Sequence, residues 1–153
     1  MSETVGSEDA FIMLKSLSET MDSFTIAAFL GGNLRWRALQ PEILQEAPKE
    51  VGLYVFRTKD GTRFGRLRGE SDIIYIGSAK GQGGIRRRLY SHLHPGPTQA
   101  TNKRSRWLQD KVQMEVAWEC GETAASKEGL ALGLYRQDHW EFPPLNRAGV
   151  ESV

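Results

Sequence analysis

Two short apolar runs in this chain carry a glycine and a tyrosine in mirror order: Gly52-Leu53-Tyr54 and Tyr75-Ile76-Gly77. Each lies in a stretch of strand-forming residues. Val51–Arg57 alternates Val51, Leu53 and Val55 with Gly52, Tyr54 and Phe56, so both faces are largely apolar. Asp72–Gly77 carries Ile73, Ile74 and Ile76. Glycine weakens a strand, so Gly52 and Gly77 mark positions where another part of the chain approaches closely. A glycine-rich loop, Gly81–Gly84, then leads into a basic helical run over Ile85–Leu93, and His94-Pro95-Gly96-Pro97 stops it. The centre of the chain is thereby restricted to two main strands feeding a short basic helix.

The remaining segments fill in around this centre. Lys59-Asp60-Gly61-Thr62 reads as a turn, with Asp-Gly supplying the positive-φ position. Arg63–Ser71 reads as a polar hairpin insertion. Ser105–Lys111 suggests a second helical piece, with Trp107 and Leu108. Val112–Cys120 alternates as a third strand with one polar face. Thr123–His139 is expected to be one helix, capped by Thr123 or Ser126. Phe142–Asn146 is an extended closing segment. Upstream, residues 1–10 read as a tail, and Phe11, Leu14, Leu17, Met21, Phe24 and Ala28 recur at helical spacing. Residues 33–50 are expected to wrap onto the fold, with a short helix near Glu42–Glu46. The reading is an α+β fold with a small, mostly antiparallel three-stranded sheet flanked by helices. It divides into a partly helical extension over 1–47, a domain over 48–147 and a tail over 148–153. Trp107 and Trp118 are expected in the core, Trp36 and Trp140 either in the core or stacking on bases, and His94 and His139 at the surface.

A net charge of +1 conceals a strong asymmetry. Residues 51–106 carry twelve basic and three acidic residues, a net +9, while the segments on either side are each −4. Such a block points to a polyanion-facing surface. Lys80, Arg86, Arg87, Lys103, Arg104 and Arg106 are its candidate nucleic-acid contacts. The single cysteine, Cys120, excludes an internal disulfide and a cysteine-rich zinc site, and fits a reducing compartment. No apolar run approaches the ~20 residues that span a bilayer, and the acidic start lacks the basic region of a signal peptide. A cytoplasmic protein with no membrane partner is expected.

Cutting a phosphodiester requires an activated water, compensation of phosphate charge, a stabilised leaving oxygen and a positioned backbone. Arg88 offers a fork matched to phosphate oxygens. His92 lies four residues on, on the same helical face. The start of this helix also presents backbone N–H groups that favour anions. Tyr54 and Tyr75 bracket the hairpin, with hydroxyls able to meet where the strands approach the helix. A free tyrosine titrates near ~10, so either one needs nearby positive charge to act as a base at neutral pH.

Over residues 51–146 this pattern resembles the GIY-YIG nuclease family: Gly52/Tyr54, Tyr75/Gly77, Arg88, His92 and a closing Asn146, with Gly77-Ser78-Ala79-Lys80 matching the usual continuation. The resemblance implies an endonuclease that hydrolyses DNA with one Mg²⁺ or Mn²⁺. It implies water activation by Tyr54 with His92 assisting, phosphate contacts from Arg88 and Tyr75, a metal-binding Glu in the last helix, and positioning by Asn146. Glu128 is the only Glu inside that helix, but it lies 18 residues before Asn146. A shorter gap puts Gly133 at the metal position and makes the chain a silent nucleic-acid binder. A protein-interaction scaffold, docking or dimerising through the N-terminal extension, is a third reading.

Overall fold

The computed structural model describes residues 34–146 together with Asp22, Ile26 and Phe29. Along the chain run β1 (Arg37–Ala38), a 3₁₀ turn (Pro41–Gln45), β2 (Gly52–Thr58), β3 (Phe64–Gly65), β4 (Glu70–Ser71), β5 (Ile73–Ala79), α1 (Gly84–Leu93), α2 (Ala100–Gln109), β6 (Met114–Cys120), α3 (Glu122–Ala125) and α4 (Glu128–His139). The fold is α+β. Its main sheet is antiparallel and has four strands, in the order β1-β6-β2-β5, where the sequence predicted three. The additional strand, β1, pairs Arg37 with Val116 and Ala38 with Glu115. Two residues are too few to show an alternating pattern, which is why the sequence hides it.

Strand β2 lies inside the sheet, with Tyr54 opposite Gly77 on one side and Trp118 on the other. Both faces of the sheet are covered, which accounts for the continuous apolar character of β2. On one face Tyr54, Phe56, Ile74, Tyr75 and Val116 pack with Ile85, Leu89 and Leu93 of α1, Ile43 of the 3₁₀ turn, and Leu145. On the other, Leu53, Val55, Ile73 and Ile76 pack with Ala124 of α3, Ala131, Leu132 and Tyr135 of α4, and Ile26 and Phe29. A register shift between Phe56 and Arg57 opposes them to Tyr75 and Ile73, so Ile74 is the extra residue of a bulge. The bulge lets neighbours Ile74 and Tyr75 both reach the first core. The Ile26 amide donates to Asp22 O at 3.0 Å. The rest of the expected N-terminal helix, and the tail over 148–153, lie outside the described residues.

The insertion between the main strands is a hairpin of β3 and β4, and the turn before it holds Asp60 and Gly61 at positive φ (62° and 70°). The single helix expected over 123–139 is two helices, and neither Thr123 nor Ser126 caps the start of one; Ser126 stands at the C-terminal cap of α3. Gly121, at φ 115°, opens α3, and Ser126 Oγ donates instead to Thr123 O (2.7 Å). Helix α2 starts at Ala100 rather than Ser105, and Trp107 on it is exposed, not core. His139, expected at the surface, is fully buried, with its Nδ1 2.8 Å from Arg68 O, tying α4 to the hairpin. Trp118 packs against the first core and Trp36 against the second, while Trp140 is exposed. Among the described residues no helix is long and apolar enough to cross a membrane.

Strand β5 ends the sheet, and the closing segment runs along its open side. The Leu145 amide donates to Ile74 O at 3.1 Å. The Asn146 side chain then serves as a strand of its own: Oδ1 accepts from the Ile76 amide (3.0 Å) and Nδ2 donates to Ile76 O (2.8 Å). Pairing these groups removes an exposed edge that would otherwise template further strand addition.

Candidate active site

At this closed edge the layers of the two faces meet. A cavity of about 800 Å³ opens there, bordered by Tyr75 and Ser78 of β5, Arg87 and Arg88 of α1, Glu128 at the first position of α4, and Asn146. The first residue of α4 thus stands beside the basic face of α1, although 40 residues separate Arg88 from Glu128. Ser78 Oγ donates to Glu128 Oε1 at 3.1 Å and orients the carboxylate. Gly133 is exposed and does not border the cavity.

Behind the cavity lies an aromatic floor. Tyr54 and His92 are both fully buried, with the Tyr54 hydroxyl 3.1 Å from His92 Nε2. Tyr54, Phe56 and Tyr75 surround the imidazole at ring separations of 5.8, 4.9 and 5.0 Å. Burial, reinforced by the Arg88 charge, lowers the His92 pKa to about 3, so the ring is neutral. Its Nδ1 has no hydrogen-bond partner among the described residues. Arg88 Nε donates to the Tyr54 oxygen at 3.4 Å, a long bond. Gly77 lies under both tyrosines: a Cβ there would sit 2.5 Å from Tyr75 Cε1 and 2.7 Å from Tyr54 Cζ. Only glycine lets the two rings cross β5 here.

The assignment of water activation to Tyr54 meets this geometry. Its side chain is covered and does not border the cavity. Burial, then the neighbouring Tyr75, push its pKa well above the ordinary tyrosine value, and the opposing pull of Arg88 is smaller. In the free protein Tyr54 keeps its proton, and the phenol that borders the cavity is Tyr75.

The start of α1 is also not the anion site its sequence suggested. A helix leaves its first N–H groups unpaired, but here the Ile85 amide donates to Glu50 O and the Arg86 amide to Pro48 O, both at 2.9 Å. Gly84, at φ 56°, packs so closely on the Glu50 backbone that any Cβ would collide with it. The 3₁₀ turn and its following loop therefore occupy this helix end.

The nucleic-acid candidates separate by position. Lys80 and Arg87 border the cavity and are exposed. Arg86 is half-buried, and its Nε donates to Ala47 O at 2.7 Å, fastening α1 to the 3₁₀ segment. Lys103, Arg104 and Arg106 are exposed on α2, with Lys103 Nζ bonded to Pro97 O and Arg106 paired with Asp110 at 3.0 Å. Sequence reasoning did not single out Ser78 as a partner of Glu128, nor Thr98, Gln99 and Asn102, which also border the cavity. A hydroxyl directly after Tyr75-Ile76-Gly77 was the available signal for Ser78.

No group of three or more His, Cys, Asp or Glu side chains that could cage a metal occurs among the described residues. One oriented carboxylate on an open cavity does suit Mg²⁺, which retains several waters and completes its shell with substrate phosphate. No family model matches this chain, and neither the curated proteins nor the solved structures hold a significant match to it.

Proposed function

We propose that this chain is a GIY-YIG-type endonuclease that hydrolyses DNA phosphodiester bonds. The observation that carries the reading is one cavity bordered by Tyr75, Arg88, Glu128 and Asn146, over the buried Tyr54–His92 pair. Glu128 would hold a single divalent ion, Mg²⁺ or Mn²⁺, whose charge stabilises the leaving oxygen.

The chain's own groups bind and position the substrate. Arg88 directs its guanidinium at the scissile phosphate, with its Nε turned towards the Tyr54 oxygen in a long hydrogen bond. Tyr75 hydrogen-bonds the attacking water or a phosphate oxygen from the cavity wall. Neutral His92 takes a hydrogen bond from Tyr54 and so holds the residue that holds Arg88. Asn146 fixes the β5 backbone at Ile76, between Tyr75 and Gly77. Lys80 and Arg87 extend the phosphate-binding surface. The single free cysteine accords with a reducing cytoplasm.

The test is cleavage of supercoiled plasmid by wild type and Glu128→Ala, with Mg²⁺ or Mn²⁺ and with EDTA. Metal-dependent nicking, lost in Glu128→Ala, is expected. DNA binding without nicking would leave a silent binding domain, and neither would leave an interaction scaffold.

A further inference from the structure

The cavity extends past the cluster just described, onto the first turn of α2. There it is bordered by Thr98, Gln99, Ala100 and Asn102, none of them charged. Uncharged amides do not neutralise phosphate, whereas Asn and Gln are among the side chains that read base edges, adenine's above all.

The hydrogen bonds around this pair fix which amide atom is which. The Gly96 backbone N–H can only donate, and it bonds Gln99 Oε1 at 2.9 Å. That identifies the atom as oxygen. The Asn102 atom 3.1 Å from the same oxygen must then be the donor Nδ2. The arrangement leaves the Gln99 Nε2 donors and the Asn102 Oδ1 acceptor without a protein partner among the described residues. Asn102 is only 8% exposed, and its Oδ1 is not among the buried side-chain atoms that lack a partner; the side chain borders the cavity.

A donor and an acceptor offered by two neighbouring side chains complement one base edge in the major groove. Adenine presents N7 as acceptor and N6–H₂ as donor. Guanine presents two acceptors, thymine an acceptor and a methyl group, and cytosine a donor. Helix α2 also carries exposed Lys103 and Arg104 just beyond the pair, placed for flanking phosphates. A helix that offers its N-terminal residues to bases and basic residues to the backbone matches the docking of recognition helices.

We propose that Gln99 and Asn102 select an adenine close to the scissile phosphodiester, through Nε2 to N7 and Oδ1 to N6. The proposal rests on the nucleic-acid reading above and adds to it a source of sequence preference within the same cavity.

The test uses Gln99→Glu in the full chain. The substituted carboxylate keeps an oxygen for the Gly96 amide and Asn102 Nδ2 but replaces the donor group with a second acceptor. Gln99 is exposed, so the exchange leaves the core intact, and a thermal melt checks this. A duplex library with randomised sequence is sequenced twice: as the bound fraction in EDTA, and at the cut ends with Mg²⁺. Wild type should enrich adenine at one fixed position by about 5- to 150-fold, the range expected of a bidentate base contact. Gln99→Glu should lose that enrichment. A flat base profile in wild type, or the same adenine preference in the variant, overturns the proposal. The two readings fail separately. Adenine selection in the bound pool without nicking removes the nuclease and keeps the reader. Nicking with flat ends and a flat bound pool does the reverse. Absence of both binding and cleavage removes both.

Discussion

Acid should unfold this protein partly through one residue, His92. Its ring is fully buried among Tyr54, Phe56 and Tyr75, near the Arg88 charge, and its pKa falls to about 3. An unfolded histidine titrates near ~6.5. The folded value lies below the unfolded one, so the unfolded chain takes up the proton first. The stability from this group is complete above about pH 7 and is lost as the pH falls from 6.5 towards 3. Between pH 7.5 and 5.0 the loss comes to about 2 kcal/mol, and any folded-state pKa below about 4 gives nearly the same figure. The comparison is wild type against His92→Gln, which does not titrate and can still hydrogen-bond Tyr54. Urea unfolding followed by tryptophan fluorescence at the two pH values gives the slopes. His94 and His139 are present in both proteins, so their contributions cancel. Wild type should lose about 2 kcal/mol more than the variant across this interval. Equal losses, or an NMR titration of His92 with a midpoint near 6.5, would refute the reasoning.

Gly77→Ala forces a Cβ against the rings of both Tyr54 and Tyr75, and overpacking of this kind costs about 1–3 kcal/mol; a lower urea midpoint with an unchanged slope is the expected readout. Asn146→Ala leaves the Ile76 amide and carbonyl unpaired on the edge of β5, so a loss of about 1–3 kcal/mol in chemical denaturation is expected, together with earlier hydrogen exchange at Ile76. Arg88→Lys keeps the charge but loses the planar fork, and should slow plasmid nicking by roughly 10²–10³-fold while gel-shift binding persists.

Much of the fold is legible in local pattern. Strands β2 and β5 announce themselves by apolar runs, β6 by alternation, α1 by its basic run and its Pro-Gly stop, and the Asp60-Gly61 turn by residues that tolerate positive φ. The pattern fails where a segment is too short or a break too local. Two-residue β1 has no period to detect. The interruption at Ser126-Lys127 lies within residues that could all continue a helix. His139 and Trp107 exchanged their expected places because burial depends on what packs opposite, and neither residue type fixes that by itself.

The candidate site divides in the same way. The sequence by itself determined that Arg88 and His92 share a helical face, through their four-residue spacing, while it was the resemblance that implied Tyr54 and Tyr75 join them. It also determined that a basic block occupies the middle of the chain. Only the tertiary structure decided that Glu128, rather than Gly133, faces this cluster, because the direction of α4 depends on packing across the sheet. It likewise decided which phenol meets the cavity, by covering Tyr54 with ring and helix contacts and leaving Tyr75 at the wall. Burial and the contacts between distant segments are properties of the assembled layers, and no window of sequence contains both partners.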